Sequence, residues 1–108
     1  MKKVEFYQSK QVVSVERWLH DCDLPALTWA RLRVFTDGTA DACWADGGTL
    51  YGFDEQRFAD YFLAKDENRR LACMDEDDEL EYGIRLADVR PPFWSDRLDQ
   101  AFEYLGTF

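Results

Sequence analysis

The stretch from Leu27 to Phe53 constrains the fold most, because glycine turns divide it into three apolar runs. Leu27 to Phe35 is rich in Trp, Leu, Val and Phe and is followed by Thr36-Asp37-Gly38-Thr39. Asp-Gly between apolar runs is a strong hairpin signal. Asp41 to Ala45 forms the second run, Asp46-Gly47-Gly48 the second turn, and Thr49 to Phe53 the third run. Glycine reaches positive φ without steric cost, so both turns can be tight. The pattern predicts a three-stranded antiparallel meander. Alternation puts Ala30, Leu32 and Val34 on one face of the first strand, toward a core. Trp29, Arg31, Arg33 and Phe35 fall on the other face, where aromatic and guanidinium groups mix and suggest a contact surface.

Helices are predicted on either side of the meander. Lys3 to Gln8 alternates weakly and reads as a further strand. Ser14 then looks like a helix N-cap, with Val13 and Trp18 at the positions of a hydrophobic staple. Val15, Trp18, Leu19 and Cys22 follow at helical spacing, although the β-branched run Val12-Val13-Ser14-Val15 also suits a strand. The helix is preferred, and it must stop before Pro25. Asp54 caps a second helix whose stripe is Phe58, Ala59, Phe62 and Leu63. Residues 76–82 form a short acidic helix or an exposed loop, with Gly83 where a C′ residue would stand. Val89 to Trp94 is an extended arm around two prolines. Ser95 caps a last helix carrying Leu98, Ala101, Phe102 and Leu105, ended by Gly106. The expected fold is α+β in one domain over residues 1–108. Its sheet is a three- to four-stranded antiparallel meander, packed by two to three helices in a single layer on one face.

Charge separates the two halves of the chain. Residues 1–53 carry 7 acids and 6 bases, whereas residues 54–108 carry 15 acids and 7 bases, of a total net charge of −9. Asp75, Glu76, Asp77, Asp78, Glu79 and Glu81 concentrate six carboxylates in seven residues. Such a field repels nucleic acid and anionic membranes and attracts basic proteins. In size and charge the chain resembles small acidic proteins that neutralise toxic nucleases or mimic DNA. That resemblance implies a non-enzymatic inhibitor or immunity-type protein that captures a basic partner through this run.

Catalytic motifs are sparse. His20 is the single histidine, and the serines are Ser9, Ser14 and Ser95, with no G-x-S-x-G elbow and no phosphate loop. An EF-hand begun at Asp75 fails at Leu80 and Leu86, where Gly and Glu are required. Cys22, Cys43 and Cys73 are odd in number and widely spaced, which reads as reduced thiols rather than a disulfide frame or a zinc site. No cofactor and no metal are expected. The basic start lacks an apolar core and no run approaches membrane-spanning length, so the chain reads as cytoplasmic. A rival reading places Trp44, Tyr51, His20 and Cys43 in an aromatic-lined pocket of a small-molecule-binding protein or enzyme. A third is a self-associating domain that forms a homodimer through an apolar sheet face.

Overall fold

The computed structural model describes residues 2–23, 26–45, 48–94 and 100–108. A short helix, α1 (Lys3–Tyr7), leads into β1 (Val12–Asp23), β2 (Ala26–Phe35), β3 (Ala40–Trp44) and β4 (Leu50–Phe53). Helix α2 (Gln56–Ala64), the two-residue β5 (Arg69–Arg70), α3 (Glu76–Tyr82) and β6 (Phe102–Gly106) follow. Single 3₁₀ turns lie at Leu71–Cys73 and Leu86–Asp88. The strands form one sheet in the order β5-β1-β2-β3-β4-β6. Strands β2 to β4 are the three-stranded antiparallel meander that the turn signals predict, and β1 extends it antiparallel alongside β2. The sheet is nevertheless six-stranded and mixed, because β6 returns parallel to β4 after the long crossover that parallel pairing requires.

Three segments differ from expectation. Residues 12–23 form a strand, not a helix, with Val12 opposite Phe35 and His20 opposite Thr28. The helical spacing of Trp18, Leu19 and their neighbours arose because both faces of the sheet are covered there. Trp18 packs with Ala30, Leu32 and the α2 residues Ala59, Phe62 and Leu63, whereas Leu19 packs with Trp29 and Tyr82 on the opposite face. Lys3–Tyr7 is a helix rather than a strand, and it buries Phe6 against Phe35 and Phe102. Residues 102–106 are a strand rather than the end of a helix. Phe102 and Tyr104 share one face of it, an alternation that a stripe of Phe102 and Leu105 had concealed. The Asp46-Gly47 turn, Pro25, the Ser95 cap and Leu98 lie outside the described residues.

The helices therefore do not form one layer on one face. Helix α2 covers the face carrying Ala30 and Leu32, while α1 and Tyr82 of α3 pack on the other. Gly52 of β4 permits this second packing. A methyl group there would lie 2.8 Å from the Phe102 ring and 3.0 Å from Phe6. Asp54 sits one residue outside its expected role. Glu55 is the N-cap of α2, and the Asp54 carboxylate accepts the Tyr104 hydroxyl instead.

Candidate functional site

The acidic run folds into α3 and its cap. The Asp75 carboxylate accepts the backbone N–H of Asp77 at 3.0 Å and of Asp78 at 3.3 Å. Asp78 reciprocates by accepting the Asp75 N–H at 2.9 Å, which completes a capping box. Acids in the first turn suit the positive end of the helix dipole. Gly83, at φ +67, ends the helix in the left-handed conformation that glycine adopts readily.

Arg69 fastens the helix to the sheet. Its guanidinium donates two bonds to Glu81, at 2.7 and 2.9 Å, and one to Asp78 at 2.6 Å. It also lies over the Tyr82 ring, 5.0 Å from the centroid. The bond from the Asp75 amide and then Arg69 hold the Asp78 carboxyl below the usual carboxylate range. Hydrogen bonding to Arg69 does the same for Glu81. Glu79 accepts the Leu86 N–H at 3.0 Å and ties down the following 3₁₀ turn.

Four of the six predicted carboxylates, Asp75, Asp78, Glu79 and Glu81, thus serve the helix and its attachment. Glu76 and Asp77 project to solvent. Leu80 stands three and four residues on, so the three side chains share one face. Leu80 is 83% exposed on it. The sequence signal had marked the charges but not the division between an inner and an outer set, nor this apolar residue among them.

The other predicted contact set is enclosed. Trp29 is 9% and Arg31 4% exposed, and Arg33 is half-buried. Alternation placed them correctly on one face, but α1, Tyr82 and Trp94 cover that face. Arg33 donates through Nε at 3.0 Å and Nη2 at 2.5 Å to Asp41, which is fully buried and also accepts the Tyr7 hydroxyl at 2.5 Å. Burial, then the Asp41 charge, raises the Tyr7 pKa. Sequence reasoning missed this network. Its signal was a lone acid, Asp41, inside an apolar strand opposite Arg33.

Of the pocket residues, His20 and Trp44 do meet, with Thr28, Asp66 and Asn68, around a hollow of about 290 Å³. Tyr51 adjoins through an edge-on contact with Trp44, the centroids 6.2 Å apart. His20 faces the Glu67 carboxylate at 3.4 Å. Cys43 is not part of this hollow, because it lies on the opposite face of β3 from Trp44. Burial pushes its thiol pKa up, away from the thiolate that nucleophilic chemistry needs. Among the described residues no group of His, Cys, Asp and Glu is placed to hold a metal ion. Among them, too, no helix is long and apolar enough to cross a membrane.

No family model, no curated protein and no solved structure matches this chain.

Proposed function

We propose that the protein is a non-enzymatic binding protein whose outer α3 face engages a basic protein partner. The observation that carries this reading is the exposed set Glu76, Asp77 and Leu80 on a helix pinned from behind by Arg69. An apolar anchor beside carboxylates combines contact area with electrostatic steering. A helix already fixed by its cap and by Arg69 loses little freedom on binding. An inhibitor or immunity-type role is the most concrete form of this reading.

The test is a low-salt capture from the native host's lysate with wild type and with Glu76→Lys/Asp77→Lys/Leu80→Ala. None of the three replaced side chains makes a bond to another side chain among the described residues, so the fold should be retained. One basic protein held by wild type and lost by the variant supports the reading. The same proteins retained by both would refute it.

The hollow at His20 and Trp44 favours a second reading, a small-molecule site, since it joins an aromatic wall to polar groups. A ligand seated there would raise the melting temperature of wild type and leave that of Trp44→Ala unchanged. The homodimer reading rests on the exposed Val12, Val13 and Val15 of β1, and sedimentation velocity separates it from a monomer.

A further inference from the structure

An open hollow on the face of the sheet opposite α2 joins an apolar wall to a rim of unlike charges. Leu27 and Trp29 of β2, with Ile84 and Val89 of the segment after α3, wall a space of about 370 Å³. All four belong to the core cluster around Leu19, Trp29 and Tyr82 or pack against it. Arg85, Asp88 and Arg90 complete the lining.

Arg85 and Asp88 stand at the two ends of the second 3₁₀ turn, where the Asp88 N–H donates to the Arg85 carbonyl at 3.0 Å. Residues three apart on such a turn lie one above the other. Both side chains are exposed and both border the hollow. Among the described residues they nevertheless form no ion pair with each other. Arg90 has a different task. Its Nη1 donates to the carbonyls of Ala87 at 2.8 Å and Val89 at 2.9 Å, which braces the turn. Glu79 holds the same turn from the α3 side by accepting the Leu86 N–H. The rim is thus set in place before any ligand arrives, and a fixed site loses little freedom on binding.

A cation and an anion that share a rim without meeting match a ligand that carries both charges. The wall beside them takes an apolar body. A simple carboxylate would satisfy Arg85 and be repelled by Asp88, and a simple amine would do the reverse. A peptide has its free ammonium and its free carboxylate on different residues, whereas a free amino acid carries both on one carbon. We propose that the hollow binds a free apolar α-amino acid, with its carboxylate at Arg85, its ammonium at Asp88 and its side chain against Trp29. This site shares no residue with the outer α3 face, so either assignment can fail without the other.

The experiment uses the full chain labelled with ¹⁵N, titrated at neutral pH and constant ionic strength. The ligands are L-leucine, 4-methylpentanoate (leucine without its ammonium), 3-methylbutylamine (leucine without its carboxylate) and glycine. The readout is the indole N–H signal of Trp29, assigned by its loss in Trp29→Phe, together with the backbone N–H signals of Ile84 and Val89. Leucine should shift these saturably and bind about threefold or more tightly than either analogue, the worth of one exposed charge pair. Glycine should bind about tenfold or more weakly than leucine, because it leaves the apolar wall uncovered. Asp88→Asn should abolish the preference for leucine over 4-methylpentanoate and keep the preference over 3-methylbutylamine. Arg85→Gln should do the opposite. Signals unmoved at tens of millimolar leucine overturn the inference. Either analogue bound as tightly as leucine overturns it too, as do preferences unchanged in the two variants.

Discussion

Replacing Asp41 by Ala should come close to unfolding the protein. Asp41 has no exposed surface, and the Arg33 side chain facing it is 12% exposed. Removal of the carboxylate takes from a largely buried guanidinium its buried Asp41 partner and from the Tyr7 hydroxyl its acceptor at once. Breaking a buried pair from one side costs about 3–5 kcal/mol, because the remaining charge stays desolvated without its partner. A domain of this size has about 5–15 kcal/mol in all. A loss of about 4 kcal/mol would lower the melting temperature by about 15 °C or more. Urea unfolding followed by tryptophan fluorescence measures the change directly. Replacing both partners, as Arg33→Met/Asp41→Leu, should recover most of the loss, since apolar groups of similar volume leave nothing desolvated. An Asp41→Ala variant within about 1 kcal/mol of wild type would refute the argument, which sets the desolvation cost of that pair above the value of solvent screening.

Other predictions follow from the same packing and charges. Gly52→Ala should destabilise by about 1–3 kcal/mol in urea unfolding, because the added methyl meets Phe102 and Phe6 on both sides. Asp78 and Glu81 have depressed pKa values, so their contribution is present above about pH 4 and is lost as the pH falls below it. Arg69→Met should therefore flatten the acid limb of the stability curve, and an unchanged limb would show that Arg69 does not set it. Tyr7 has a raised pKa, so its contribution is complete below about pH 10 and declines as the pH rises further. Tyr7→Phe should lose less stability than wild type between neutral and strongly alkaline pH, measured by circular dichroism.

The sequence was most legible where one local signal dominated. The Asp37-Gly38 turn fixed the β2–β3 hairpin, and Gly38 does adopt φ +86. Phe62 and Leu63 marked the buried stripe of α2, and Gly83 marked the end of α3. Residues 12–23 and 102–106 were misread for one shared reason. Each contributes side chains to a sheet covered on both faces, so the period-two pattern of a half-exposed strand does not appear. Leu19 and Trp18 are both buried although they point opposite ways. In α1, five residues are too few for either period to show.

The candidate site was legible in its charge but not in its arrangement. The six clustered acids are visible in the chain, yet which of them face inward depends on Arg69, six residues before the run. The Tyr7–Asp41–Arg33 network joins residues 34 positions apart in sequence and had no local signature.

The most direct test of the binding assignment is the association rate of the captured basic partner with wild type and with Glu76→Gln/Asp77→Asn, across a series of salt concentrations. The account predicts slower association for the variant, several-fold at low salt, with the difference closing as salt screens the field. Equal rates at every salt concentration would contradict it and leave the charge of α3 to its cap and to Arg69.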